Sequence, residues 1–211
     1  MPRRPAPSDP AARYDAAYFE RWYRSAEYRV RTPTEIARIV AMTVFVAEYV
    51  LERPIRSVLD VGAGEGHWRG HLRRLRPRLR YVGVEPSDYA VARFGRTRDL
   101  RQGTMATLHT MALEEAVPRG GYDLIVACGV LNYVPLPELE RGLATLCDLS
   151  SGIAFLELFS KGDDITGDLD MHRLDASVYA GMLARTGWTP LGLHCYAPAH
   201  IARTMVALEL P

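Results

Sequence analysis

The chain has 211 residues, 48% of them hydrophobic and 24% charged, with a net charge of +1. That length serves one domain with a sizeable core and is short for two. The balanced charge removes any electrostatic argument for nucleic acid or an anionic membrane as partner. No apolar run is long enough to span a bilayer, and residues 1–12 lack the apolar centre of a signal peptide. Cys128, Cys147 and Cys195 are widely spaced, with no Cys-x-x-Cys pair, so neither a zinc site nor a disulfide framework is expected. Free thiols fit a reducing compartment, and a cytoplasmic location is expected.

Residues 1–12, rich in Pro, Ala and Arg, read as a flexible tail. Residues 13–54 read as an N-terminal helical cap. Its first part carries Tyr14, Tyr18, Phe19, Trp22, Tyr23 and Tyr28 and predicts one or two short helices. Thr32-Pro33-Thr34-Glu35 then writes a capping box with proline at the first helical position. Ile36, Ile39, Val40, Ala47, Val50 and Leu51 keep one helical face until Pro54 ends it. Strand and helix patterns alternate from there. Strands are predicted at 56–61, 79–85, 98–102, 122–128 and 153–159, and helices at 65–76, 87–94 and 137–149. A polar loop over 161–173 precedes a helix capped by Asp175 and stopped by Gly187. Residues 188–196 and 205–210 read as two last strands in an antiparallel hairpin. Such alternation implies an α/β protein, a mostly parallel sheet with helices on both faces.

The stretch that carries most chemistry is Val58-Leu59-Asp60-Val61-Gly62-Ala63-Gly64-Glu65-Gly66-His67-Trp68. It reads as a strand, a glycine turn and a helix start. Glycine lets a ligand come close because no Cβ blocks it, and a helix N-terminus offers N–H groups. The dinucleotide fingerprint runs Gly-x-Gly-x-x-Gly, with its last gap one residue longer than here. Tyr81-Val82-Gly83-Val84-Glu85 reads as the next strand. Its terminal carboxylate suits two ribose hydroxyls, accepting from both.

Together these segments resemble the class I S-adenosylmethionine-dependent methyltransferases, over roughly residues 56–210. The resemblance implies a doubly wound, Rossmann-like sheet of about seven mostly parallel strands, with an antiparallel C-terminal hairpin and an N-terminal helical lid. It makes residues 55–211 an S-adenosylmethionine-binding methyltransferase domain, with S-adenosylhomocysteine as product. Asp60, Gly62, Ala63 and Gly64 then hold the methionine end, and Glu85 the ribose, with Pro86 and Ser87 following along the adenosine. Gly103-Thr104-Met105-Ala106 flanks the adenine. Many family members carry an acid there; here Thr104 or Met105 takes its place, and backbone and the Met105 side chain serve instead. The backbone at Cys128 accepts from the cofactor's ammonium, and Asn132 and Tyr133 lie near the sulfonium or the acceptor. Tyr14 and Tyr18 are the best lid candidates.

On the acceptor side, His172 is the candidate general base or acceptor ligand, and His67 a contact for the cofactor's carboxylate. Glu157, an acid within an apolar strand, either binds the acceptor or pairs with an arginine, because a buried carboxylate is costly alone. Cys128 reads as a small buried residue rather than a nucleophile, with no cation in view to activate it. His109 reads as a plain helix or loop residue, and the arginines at 69, 73, 74, 76, 78 and 80 as a solvated face. The functional expectation is methyl transfer by in-line displacement to oxygen or nitrogen of a small molecule, with no metal, by a monomer or homodimer. The alternatives are a cofactor-binding regulator without catalysis, and a nicotinamide oxidoreductase.

Overall fold

The chain forms a seven-stranded sheet in the order β3-β2-β1-β4-β5-β7-β6. The structure, a computed structural model, describes residues 13–111, 120–165 and 171–205. The strands are β1 (Ser57–Val61), β2 (Arg80–Glu85), β3 (Leu100–Gln102), β4 (Tyr122–Ala127), β5 (Ser150–Leu156), β6 (Trp188–Gly192) and β7 (Cys195–Pro198). Strands β1 to β5 are parallel, while β7 runs antiparallel to β5 and β6 to β7. Every residue of β1 and β4 is buried, as the centre of a sheet covered on both faces demands. The chain leaves β1 towards β2 and β3, then returns to β4 on the other side. The order therefore reverses between β1 and β4, where open α/β sheets leave a crevice at the strands' carboxyl ends.

The helices are α1 (Ala16–Phe19), α2 (Pro33–Leu51), α3 (His67–Leu75), α4 (Asp88–Arg98), α5 (Leu136–Asp148), α6 (Ala176–Arg185) and α7 (Ala199–Ala202). Asp15 caps α1, which passes into a π-helical turn at Glu20–Arg24. The capping box at α2 forms as expected: Glu35 N donates to Thr32 Oγ1 at 3.2 Å, and Thr32 N to Glu35 Oε2 at 2.6 Å. One core, with Val40, Val44, Trp68 and Leu72, lies under α2 and α3. The other, with Leu139, Leu143, Met182 and Trp188, lies under α5 and α6.

Two expectations need correction. Residues 188–196, expected as one strand, are not one: β6 and β7 pair antiparallel within 188–198, turning at Leu193 and His194, both at positive φ (52° and 59°). Of the second expected strand only Met205 is described; the rest, and the tail at 1–12, lie outside the described residues. Asp175 stands at the N-cap of α6 without a side-chain cap bond, its carboxylate 3.4 Å from Lys161 Nζ instead. Among the described residues no helix is long and apolar enough to cross a membrane.

Candidate active site

The crevice begins at the turn between β1 and α3. Gly62 and Gly64 both take positive φ (68° and 56°), a conformation that L side chains rarely adopt. Space is equally short: a Cβ on Gly62 would overlap the Val130 side chain, and one on Gly64 would overlap Tyr23 Oη. The turn's amides, however, are not aimed at a ligand. Gly62 N and Ala63 N donate to Val84 O (2.8 and 3.1 Å), Gly66 N to Ala63 O, and Gly64 N to Glu85 Oε2 (2.7 Å). The turn thus offers a Cβ-free floor, and its donors shape the turn itself.

Glu85 is buried at the end of β2 and its carboxylate is fixed from two sides, by Gly64 N and by Ser87 N at 2.9 Å. Burial pushes its pKa up, against those two donors. Each oxygen keeps a further lone pair for a hydroxyl. Asp60, buried at the end of β1, accepts from Tyr81 Oη at 2.6 Å. Burial raises its carboxyl to about 7, against the tyrosine's bond.

Two cavities meet here. The narrower, about 140 Å³, is lined by Glu85, Pro86, Thr104, Met105 and Gly64, under Tyr14 and Phe19. The wider, about 420 Å³, is lined by Asp60, Ala63, Trp68, Arg31, Glu157 and Met171, among others. Tyr18, Tyr23, Gly62, Cys128, Gly129 and Tyr133 line both and form the seam between them. The expected cofactor residues therefore converge on one crevice, except Ser87 and Ala106, which line neither cavity.

The aromatic N-terminal segment roofs that crevice. Ser87 Oγ donates to Tyr14 O at 2.5 Å, Arg24 pairs with buried Glu65, and the Phe19 ring lies 5.6 Å from that of Tyr89. The Tyr23 ring lies between Phe19 and His67, at 5.0 and 5.1 Å. Sequence reasoning named Tyr23 in the aromatic segment but favoured Tyr14 and Tyr18. Its position over Gly64 has no local signal.

Glu157 lies just beyond β5, and of its two readings the arginine pairing is found. Arg31 Nη1 donates to Glu157 Oε2 at 3.0 Å, and Nη2 pairs with Oε1. The same guanidinium reaches Cys128 Sγ at 2.9 Å. The expectation that Cys128 has no cationic neighbour is thus corrected, yet burial still pushes the thiol's pKa well up. Nothing in the sequence marked Arg31, one of many arginines.

Asn132 lines the wider cavity, whereas His172 is placed differently. The Asn132 amide is consumed in holding loops: Nδ2 donates to Phe159 O (2.8 Å), His172 O (2.7 Å) and Tyr179 Oη (3.2 Å), while Oδ1 accepts from Phe159 N. His172 is held by its backbone. Its side chain is exposed and lines neither cavity, so the structure does not bring it to the acceptor. His67 does line the wider cavity, its Nε2 3.6 Å from Glu65, and burial lowers its pKa. Of the arginine face, Arg69 and Arg73 pair with Asp99, and Arg76 with Glu48.

A family model described as a methyltransferase domain matches residues 59–150. No curated protein matches the chain. Among solved structures, it is similar to the sugar N-methyltransferase KedS8 from Streptoalloteichus sp ATCC 53650, at 18% identity and a TM-score of 0.57, covering 72% of this chain and 79% of that one. It is also similar to the magnesium protoporphyrin IX methyltransferase ChlM from Synechocystis PCC 6803 with bound SAM (S-adenosylmethionine), at 16% identity and TM-score 0.57, covering 89% of each. DesVI from Streptomyces venezuelae aligns at 13% identity and TM-score 0.56, over 78% of this chain and 92% of that one. At these identities the likeness is one of fold.

Proposed function

We propose that this chain, whose residues 59–150 match a methyltransferase domain, moves a methyl group from S-adenosylmethionine to an oxygen or nitrogen of a small-molecule acceptor. The observation that carries the reading is the buried Glu85 carboxylate, held by the glycine turn at the floor of a roofed cavity. A carboxylate is expensive to bury and is kept where it recognises something. Gly62 and Gly64 let the turn pack directly against Val130 and Tyr23, two residues that line the narrower cavity with it.

In this reading Glu85 accepts from the ribose hydroxyls, Pro86, Thr104 and Met105 flank the adenine, and Asp60, Gly62, Ala63, Gly64 and the Cys128 backbone hold the methionine end. Tyr18 closes the seam from above. When bound, S-adenosylmethionine supplies an electrophilic methyl on a sulfonium, open to in-line displacement. The chain's own task is to place an acceptor lone pair on that line and to exclude water from it. Tyr133 and Glu157 are the residues positioned to orient the acceptor. His172 has no part in the reading.

Titration calorimetry with S-adenosylmethionine, S-adenosylhomocysteine and a nicotinamide dinucleotide tests it. Binding of the first two with no heat from the third is expected. The reverse pattern contradicts the proposal. Binding without methyl transfer to any member of a broad acceptor panel would favour a regulator.

A further inference from the structure

The wider cavity identifies a class of acceptor; the inference rests on the methyl-transfer reading above and goes beyond it. The walls are apolar and flat-sided: Trp22 and Trp68, Ile36 and Ile39 from α2, and Phe159 and Met171 from the loops beyond β5. Hydrogen-bonding side chains gather at the seam, where Tyr18, Tyr23 and Tyr133 line both cavities, with His67 beside Tyr23. No Ser, Thr, Gln or Lys lines the cavity among the described residues, and the one amide, Asn132, is spent on Phe159, His172 and Tyr179. A polyhydroxylated acceptor would leave the hydroxyls that lie against Ile36, Ile39, Phe159 and Met171 without side-chain partners, each costing about 1–3 kcal/mol in a dry site.

The charges are closed off as well. Arg31 and Glu157 form a bidentate pair, and the Asp60 carboxyl is held by Tyr81. The burial that lowers the His67 pKa favours its neutral imidazole. Only Arg29, exposed at the rim, carries a charge with no counter-ion given to it. One group beside the seam is a buried carboxylate. Glu157 Oε2 lies 3.8 Å from where a Cβ on Gly129 would sit, and Gly129 belongs to the seam between the cavities. An ionised carboxylate only accepts, so it selects a partner that donates.

We propose that the acceptor is a flat, uncharged, mainly apolar molecule, aromatic in its body, with a single hydroxyl or N–H that donates to Glu157 beside the seam. Arg31 acts as a positioning residue. By holding both carboxylate oxygens from one side, it turns Glu157 towards Gly129. The apolar rings of Trp22 and Trp68 supply the affinity and the carboxylate supplies the direction, the usual division in small-molecule sites.

The test uses the full chain saturated with S-adenosylhomocysteine, titrated with three probes: 2-naphthol, 2-naphthoate and methyl glucoside. Naphthol is expected to bind at least about tenfold more tightly than either other probe. Glu157→Gln should lower naphthol affinity by about tenfold. Ile36→Trp, which fills the cavity, should abolish naphthol binding while S-adenosylhomocysteine affinity reports that the fold persists. Tighter binding of the glucoside or the carboxylate, or no binding of any probe to the loaded protein, overturns the inference. Failure of the loading step itself counts against the methyl-transfer reading and is seen before any probe is added.

Discussion

The two cavities are built in opposite ways. The narrow one is local: the glycine turn, Glu85 with Ser87, and the loop after β3 each come from a short segment at the end of a strand, and the sheet brings them together. The wide one is assembled at long range. Arg31 reaches across 126 residues to Glu157, and Trp22 from the roof and Trp68 from α3 line the same cavity. A half-site made of contiguous motifs is set by backbone geometry. One made of distant side chains is set by packing and ion pairing, and is free to vary while the fold stays. The neighbours share the fold with this chain at identities of 18% or below.

Breaking each half should therefore give different signatures. The largest effect is expected from Gly64→Val. A β-branched residue at positive φ, pressed against Tyr23, distorts the turn and turns Gly64 N away from Glu85. Calorimetry should show no S-adenosylhomocysteine binding, while circular dichroism still shows a folded α/β protein. Arg31→Ala comes next and strikes stability. It strands a buried carboxylate, at a cost of about 3 kcal/mol, seen as a fall in melting temperature of roughly 6–12 °C. The paired change to Met at both Arg31 and Glu157 should recover most of that loss, since a buried ion pair and a packed apolar pair are often near equal. A melt unchanged in the single variant would show that the pair carries no load.

Glu85→Ala should weaken S-adenosylhomocysteine by about 1.5–3 kcal/mol through lost charge-assisted hydrogen bonds. Calorimetry reads this directly, and unchanged affinity would remove Glu85 from the ribose. The pH dependence set by Asp60 is spread over several pH units rather than read at one pH. Its carboxyl is raised to about 7 in the folded chain, against about 3.9 unfolded. The native state thus holds the proton over that window. Asp60's contribution to stability is full below pH about 4 and is lost as pH rises through about 7. Cofactor binding should run the other way if the ammonium draws on the ionised carboxylate, falling up to about tenfold per unit below pH about 7. Asp60→Asn should flatten both slopes, and parallel slopes in the wild-type protein would sharpen the comparison against Asp60.

How much of this was legible follows the same division. The glycine spacing, Glu85 and the exit of β4 could be read because each depends on a few consecutive residues. The capping box at Thr32 is legible for the same reason. The turn inside 188–196 was missed because Leu193 and His194 adopt a left-handed conformation that their residue types do not announce, inside a run that reads as one strand. What the turn's amides bond to could not be read, because their acceptor, Val84 O, belongs to β2, a different segment. Glu157 could be flagged as needing a partner, but a chain with 26 basic residues, only Lys161 of them lysine, gives no hint which arginine supplies it. His172 looked suitable by residue type and loop position, yet it is the neighbouring Met171 that faces the cavity.

The most direct test is a crystal structure of the chain grown with S-adenosylhomocysteine. The ribose should lie in the narrow cavity with both hydroxyls within hydrogen-bonding distance of Glu85, beneath Tyr18 and Tyr23. A cleft with no nucleoside density, or a ligand bound with Glu85 turned away to solvent, would contradict the account.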